Sequence, residues 1–362
     1  MKTIKVKLKS NSYNIIIGFN LFKNILYYIN RLSMGNFAVI VTSRSVYSCY
    51  KTLIQKSFNG IENKIIILPD AEIAKTKDCL FKIIDAILKA DKLGRKIFLV
   101  CLGGGTVGDV GGFAASMYKR GMPYVQIPTT LLSQIDASIG GKTAIDLSQA
   151  KNILGSFYQP KAVFIDPTFL RTLAKKELKE GLAEAVKYGV IKDKSFFYFL
   201  KNDYQKVLSL QPSAILKVIE TCVKIKAKIV EEDELEEKGI RTILNFGHTF
   251  AHAIEAASRY KKISHGAAVS IGMLYAAYLS CSLGVCNSHE VSEIKDILCK
   301  LTLSTKTEID YLKIYKTMRY DKKFIRGTFR FVVLRKIGKV EVLENISKDL
   351  VFNTLRKFAV PV

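Results

Sequence analysis

Along the first half of the chain, short apolar runs alternate with helical patterns. NIIIGF (14–19), FAVIVTS (37–43), KIIILPD (64–70), KIFLVCL (96–102), YVQIP (124–128) and AVFIDP (162–167) predict strands. Between them, ILYYINRL and CLFKIIDAILKADKLG carry apolar positions at helical spacing, the second ending at Gly94. Strands that are apolar at nearly every residue are buried on both faces, so the alternation predicts a mostly parallel sheet with helices on either side. Beyond about residue 172 the strand pattern fades. KKELKEGLAEAVKYGVI, SAILKVIETCVKIKAKIVEEDELEE, RTILNFGHTFAHAIEAASR and GAAVSIGMLYAAYLSCSL all read as helices, and only FRFVVLRKIGKVEVL (329–343) reads as a hairpin, turning near Gly338. An α/β domain (1–172) and a mainly helical domain (173–362), joined near 168–175, are expected.

Composition narrows the class. With 49% apolar and 24% charged residues, the 362-residue chain has the profile of a globular protein with a sizeable core. The net charge of +24 admits three readings: nucleic-acid binding, attraction of anionic substrates, or compositional drift toward lysine, isoleucine and asparagine. The lysines are spread along the chain and no nucleic-acid motif accompanies them, which favours drift and disfavours a specific nucleic-acid partner. Seven scattered cysteines without a CxxC spacing argue against a disulfide framework and for a reducing cytoplasm. The start, MKTIKVKLKS, lacks the apolar core of a secretory signal. Gly266 to Cys286 holds no charged residue, yet its serines and glycines and the missing tryptophan anchor fit a buried core helix better than a membrane span.

Candidate chemistry sits in three places. After the strand 98–102, Gly103, Gly105 and Gly108 spell GxGxxG. That spacing alone leaves open a dinucleotide fingerprint, another phosphate cradle or a tight turn, and about a hundred residues precede it. Next, PTTLLSQIDASIGGKT (128–143) sets Thr129, Thr130, Asp136 and Lys142 among small and apolar residues, a packed loop at a strand end, followed by Lys151 and Asn152. Third, of only four histidines, His248, His252 and His265 fall close together. His248 and His252 share a helix face, and the group points to a divalent-metal site, zinc suiting imidazole plus one carboxylate. Glu177, Glu180 and Glu184 offer that carboxylate, unless they form a solvated face; Glu184 has the most apolar flanks, with Lys187 one turn on. Glu237, Arg241, Asn245, His248 and His252 make a polar stripe at helical steps. A straight helix over it would run roughly 22 Å, so either the helix breaks near Gly247 or only part of the stripe touches one ligand.

Together these stretches resemble the 3-dehydroquinate synthase family of the sugar phosphate cyclase superfamily, over nearly the whole chain. The resemblance is carried by PDAEIAK (69–75), LGGGTVGDVGGFAAS, YKRG (118–121), PTTLLSQIDASIGGKTA, KNILGSFYQP (151–160), EGLAEAVKYG (180–189), RTILNFGHTFAHAIE (241–255), ISHG (263–266) and RYDKK (319–323), in order. It implies a dehydroquinate synthase-like fold, with a Rossmann-like α/β domain and a helical one. It also implies conversion of 3-deoxy-D-arabino-heptulosonate 7-phosphate to 3-dehydroquinate and phosphate in the shikimate pathway. In that family the reaction uses transient NAD-dependent oxidation, phosphate elimination, reduction and an intramolecular aldol, with a divalent metal, zinc or cobalt, in a homodimer. By motif, Glu184, His248 and His265 correspond to the metal ligands. Glu72, Lys75, Gly105, Thr106, Val107, Gly108, Asp109, Thr129, Thr130, Lys151, Phe169, Leu170, Arg171 and Thr172 correspond to the NAD site. Arg120, Asp136, Lys142, Asn152, Lys187, Lys226, Arg241, Asn245 and Lys323 correspond to the substrate site. His252 and Glu237 match the proton-handling pair, and Lys142 and Arg241 also count among the catalytic groups.

The chain departs from that pattern at Thr106 (usually Val), Ala150 and Ala251 (usually Gly), and Ala267 (usually Glu), and AIDLSQ (144–149) replaces an Asn-His-Pro-like stretch. DELEEKG carries one extra residue, which loosens the positions of Lys226 and Glu237 by one. The missing carboxylate at Ala267 bears on how His265 is oriented. A metal- and NAD-dependent polyol or alcohol dehydrogenase, or a cyclase for another heptulose phosphate, are the rival readings. GGKT, KNILGSFYQP and the lysine set favour a phosphorylated acid over a polyol.

Overall fold

The structure, a computed structural model, describes residues 1–147, 150–258, 263–318, 324–325 and 328–358. It divides into two compact units, Met1–Ala174 with Cys222–Leu235, and Lys175–Thr221 with Glu236–Val362.

In the first unit the strands are β1 (Lys2–Val6), β2 (Tyr13–Ile17), β3 (Phe37–Ser43), β4 (Glu62–Leu68), β5 (Ile97–Gly103), β6 (Tyr124–Pro128), β7 (Lys142–Leu147), β8 (Ala150–Phe157) and β9 (Ala162–Ile165). The helices are α1 (Ile25–Asn30), α2 (Arg44–Ser57), α3 (Lys77–Ala90) and α4 (Gly105–Met117). Seven strands form one sheet in the order β1-β2-β9-β6-β5-β3-β4, parallel except for the β1–β2 pair. Alternate residues of the central strands feed two cores. Val39, Val41, Leu99 and Cys101 pack with α3 and α4, while Ala38, Ile40, Phe98 and Val100 pack with α1 and the end of α2. Each large aliphatic or aromatic side chain so buried contributes about 1.5–3 kcal/mol.

Strand order reverses at β3: β4 lies on one side and β5 on the other. Such a switch point leaves a crevice at the carboxyl ends of the strands. The glycine-rich turn after β5 occupies it and leads straight into α4, whose first residue is Gly105. Close approach explains the glycines within the helix. A Cβ on Gly111 would lie 2.4 Å from Cys101 Sγ, and one on Gly112 2.5 Å from Thr143 Cγ2.

In the first unit three strands, β1, β7 and β8, exceed the expected set. Lys2–Val6 pairs with Tyr13–Ile17 as the edge strand, and Lys142–Leu147 pairs with Ala150–Phe157 as a separate hairpin. Within the stretch 128–143, expected as a packed loop, Pro128 ends β6, Ser133–Ala137 form a π-helical turn and Lys142 opens β7, and KNILGSF is strand. The first unit also takes in Cys222–Leu235, beyond the expected boundary at 172. Its side chains bond there: Gln159 Nε2 donates to Glu234 Oε1 at 3.1 Å, and the Lys7 amide donates to Glu231 at 2.7 Å.

The second unit holds α5 (Lys175–Lys192), α6 (Lys194–Asn202), α7 (Tyr204–Leu208), α9 (His248–Ala257), α10 (His265–Ser282), α11 (Ser288–Lys300), α12 (Tyr311–Met318) and α13 (Lys348–Phe358). The long α8 (Pro212–Glu232) begins in it. A three-stranded sheet, β10 (Phe324–Ile325), β11 (Thr328–Lys336) and β12 (Lys339–Ile346), contains the expected hairpin, with Gly338 in its turn. The uncharged helix α10 is the buried centre, packed by α5, α9, α11 and α13. Among the described residues no helix is long and apolar enough to cross a membrane.

Candidate active site

Glu184 lies mid-way along α5 and is fully buried. Gly266 lets α10 close on α5: a Cβ there would fall 2.4 Å from Glu180 Cα, one turn before Glu184. His265, next to Gly266, is thereby delivered to Glu184. His248 arrives by a break in the chain. The expected continuous helix is a 3-10 segment at Ile240–Asn245, then Phe246, then Gly247 at φ 79°, and only then α9. The left-handed Gly247 fits tightly, since a Cβ would meet Met273 N at 2.7 Å. The break resolves the polar stripe: Glu237 and His252 are not two ends of one straight rod.

The three ligand candidates converge. His248 Nε2 and His265 Nε2 each lie 3.4 Å from Glu184 Oε1, and the three ligand atoms all lie within 4.8 Å of one another. A tetrahedral ion with bonds of about 2.1 Å separates its ligand atoms by about 3.4 Å. Of the two Glu184 oxygens, Oε2 is paired with the Lys187 ammonium, while Oε1 faces both imidazoles without a well-formed hydrogen bond, a place that a cation suits. His265 is 36% exposed, so the group is open on one side, as catalytic zinc sites are. The donor set fits zinc or cobalt.

Electrostatics follow from burial and partners. Burial would raise the Glu184 carboxyl, but the Lys187 ammonium and then His248 hold it well below the usual carboxylate range. Burial lowers His248, with the Lys187 charge adding to it. His265 resists the same desolvation because it faces both Glu184 and Glu255, and is pushed up to about 10. Glu255, which the motif reading did not single out, accepts from His265 Nδ1 at 3.3 Å. Its place at the far end of HAIE, ten residues before His265, carries no spacing signal.

Further members of the second unit are partly gathered. Lys187 pairs with Glu184 and is 2% exposed. Buried Arg241 is met at 3.3 Å by Glu236, whereas Glu237 is exposed. His252 is exposed one turn after His248, with ring centroids 5.6 Å apart. Asn245 sits at the end of the 3-10 segment before the break. Lys323 lies outside the described residues.

In the first unit, Lys75 joins a member of the NAD set to one of the substrate set. Its ammonium donates to Asp109 Oδ2 at 2.7 Å and to Asn152 Oδ1. Asn152, at φ 53°, in turn donates its amide to Asp146 at 2.7 Å, and Lys151 lies 3.5 Å from Glu72. Burial opposes the Lys75 charge, yet Asp109 raises its pKa above the ordinary lysine value. Gly105, Thr106, Val107 and Gly108 form the first turn of α4, which contains no acidic residue and no side-chain cap; the Gly108 amide donates to the Gly104 carbonyl at 3.2 Å, and the amides before it belong to a helix N-terminus of the kind that suits an anion. Thr129 donates its amide to the Gly103 carbonyl at 3.0 Å while its buried hydroxyl lacks a partner. Thr130 packs beside Gly104, within 3.2 Å of where a Cβ would be. Arg171 and Thr172 are exposed, but Phe169 and Leu170 are buried, Phe169 edge-on to Phe22 and Tyr50. Of the substrate set, Lys226 donates to Asp136, with its carbonyl oxygen at 2.9 Å. Lys142 opens β7 with its side chain exposed, and Arg120 is exposed at φ 63°.

Solved structures define the class first. The chain matches a 2-epi-5-epi-valiolone synthase from Streptomyces hygroscopicus subsp. jinggangensis 5008, solved with NAD+ and Zn2+, at TM-score 0.88 and 28% identity over 97% of this chain and 98% of that one. It matches a 2-deoxy-scyllo-inosose synthase, solved with carbaglucose-6-phosphate, NAD+ and Co2+, at TM-score 0.89 and 25% identity over 99% and 100%. A probable glycerol dehydrogenase from Sinorhizobium meliloti 1021 shares the fold alone, at TM-score 0.68 and 13% identity over 95% of this chain and 96% of that one. The fold is that of the dehydroquinate synthase-like cyclases.

Sequence comparison then gives the family. A profile for the 3-dehydroquinate synthase N-terminal region matches residues 65–180, and one for the C-terminal region matches 181–324. The chain is 40% identical over 352 residues to the 3-dehydroquinate synthase of Desulforamulus reducens, covering 96% of this chain and 98% of that protein. With that of Nitrosococcus oceani it shares 40% over 362 residues, 99% and 100% of the two chains. The chain belongs to the 3-dehydroquinate synthase family.

Proposed function

We propose that the chain closes 3-deoxy-D-arabino-heptulosonate 7-phosphate to 3-dehydroquinate with release of inorganic phosphate, as a carbon–oxygen lyase. Its full-length likeness to proteins named 3-dehydroquinate synthase carries the reading. Glu184, His248 and His265 would hold zinc or cobalt. Glu72, Lys75, the α4 N-terminus from Gly105 to Asp109, Thr129, Thr130 and Lys151 would hold NAD, with the 169–172 turn contributing mainly backbone. A metal held there would supply Lewis acidity at a substrate hydroxyl, and NAD would supply a reversible hydride acceptor.

The chain's own residues bind and orient. Lys142, Lys187, Lys226, Arg241 and Lys323 match a phosphate and a carboxylate by charge, with Arg241 able to bind either in a fork. Asp136 and Asn152 keep Lys226 and Lys75 in place as acceptors, while Arg120 and Asn245 complete the substrate set. His252, exposed beside His248, and Glu237 handle protons. The departing phosphate can itself accept the proton, so substituting His252 or Glu237 should cost less than losing a metal ligand. The same reading makes the working protein a cytoplasmic homodimer.

The test is a coupled phosphate-release assay on the heptulosonate phosphate, run with and without EDTA. Phosphate release without net NADH, abolished by chelation and restored by zinc or cobalt, is expected. Stoichiometric NADH from a simple polyol without phosphate release would replace this reading with a dehydrogenase.

A further inference from the structure

Both imidazoles of the candidate metal centre present Nε2 to the same Glu184 oxygen, each at 3.4 Å. Their Nδ1 atoms are therefore left for other holders, and each has one. His248 Nδ1 lies 3.2 Å from the Phe246 carbonyl oxygen, and His265 Nδ1 lies 3.3 Å from Glu255 Oε1. The Glu255 side chain is only 9% exposed and belongs to α9, whereas His265 opens α10, whose first turn contains no acidic residue. A carboxylate buried at this depth requires a charge-assisted partner, and the imidazole it faces is one that needs its tautomer fixed.

We infer that Glu255 is the positioning residue of the candidate metal centre: its carboxylate accepts the Nδ1–H of His265, holds the ring so that Nε2 faces the ligand position shared with Glu184, and strengthens that nitrogen as a ligand once it is deprotonated. This rests on the metal reading above. The partly exposed His265 needs such a holder more than His248, which is clamped by backbone and nearly enclosed, with 11% of its side chain exposed. Glu255 thus does for α10 what the Phe246 carbonyl does for α9.

The test measures metal binding rather than turnover. The wild-type protein and the variants Glu255→Ala and Glu255→Gln are stripped of metal and titrated with zinc against a chromophoric chelator. The cobalt-loaded forms are compared by visible absorption. Glu255→Ala is expected to weaken zinc binding about 10- to 100-fold and to alter the cobalt spectrum. Glu255→Gln keeps the volume but is a weaker acceptor, so it is expected near the lower end of that range; it decides the matter if the alanine variant fails to fold. A purely structural ion pair predicts a lower melting temperature of the metal-free protein with zinc affinity unchanged. Affinities within twofold of wild type and an unaltered cobalt spectrum in the glutamine variant overturn the inference. Failure of the wild-type protein to bind zinc stoichiometrically overturns the metal reading beneath it as well.

Discussion

Lys187 and Glu184 form an ion pair one helical turn apart on α5, with side chains 2% and 0% exposed. The ammonium sits on Oε2 while both imidazoles face Oε1. One buried carboxylate thus divides its two oxygens between a fixed cation and a candidate metal.

Removing Lys187 leaves Glu184 with less compensation. Breaking a buried pair by deleting one partner costs about 3–5 kcal/mol. For Lys187→Met we expect a lowered melting temperature in the metal-free protein and a smaller loss when zinc replaces part of the missing charge. Thermal unfolding with and without zinc checks this; equal losses in the two states would refute it.

Metal binding should release one proton near neutral pH. In the metal-free protein, burial opposes the charge on His265, but Glu184 and Glu255 raise its pKa to about 10, so it is protonated there, whereas His248 is lowered by burial and Lys187 and is neutral. A metal requires bare imidazole nitrogens. Apparent zinc affinity is therefore expected to rise about tenfold per pH unit up to the His265 value. Titration calorimetry in buffers of different ionisation enthalpy counts the proton. For folding, His265 stabilises the metal-free protein fully below its unfolded value, about 6.5, and that contribution is lost as pH climbs through about 10.

Gly247→Ala should be severe. The position is left-handed at φ 79°, and a methyl would meet the Met273 amide nitrogen at 2.7 Å. Backbone strain and overpacking together are expected to cost on the order of 3 kcal/mol. The shift of the urea midpoint measures it, and a shift near zero would mean that α9 and α10 separate easily.

Lys75→Met should weaken NAD binding about 10- to 100-fold, the worth of a lost charge-assisted contact, while zinc affinity stays unchanged. Enhancement of NADH fluorescence on binding is the readout. Equal NADH affinity in the variant would remove Lys75 from the cofactor set.

The sequence disclosed the buried strands, because β3, β5 and β6 are apolar on almost every residue. It hid β1, whose KTIKV has only Ile4 and Val6 as apolar residues, turned inward among exposed Lys2, Thr3 and Lys5. It hid the β7–β8 hairpin too, where Gly155, Ser156 and Asn152 read as loop chemistry although Gly155 is dictated by the Thr143 carbonyl, 2.1 Å from where its Cβ would lie. At the site, residue type and spacing narrowed the ligands to His248, His252 and His265 with one of Glu177, Glu180 and Glu184; the resemblance selected Glu184, His248 and His265, the three whose ligand atoms converge. Glu255 was not legible, because nothing along the chain links it to His265; only the packing of α9 on α10 does. Glu236 rather than Glu237 reaches Arg241, a one-residue difference in the region where DELEEKG carries an extra residue.

The break before α9 has a genetic consequence. The oxygen that clamps His248 is the backbone carbonyl of Phe246, and no substitution at that codon deletes it. The oxygen that faces His265 is a side chain, and a single base change turns a glutamate codon into one for lysine, glutamine, alanine, valine or glycine. The holder of His248 thus cannot be removed by changing a side chain, whereas the inferred holder of His265 can be.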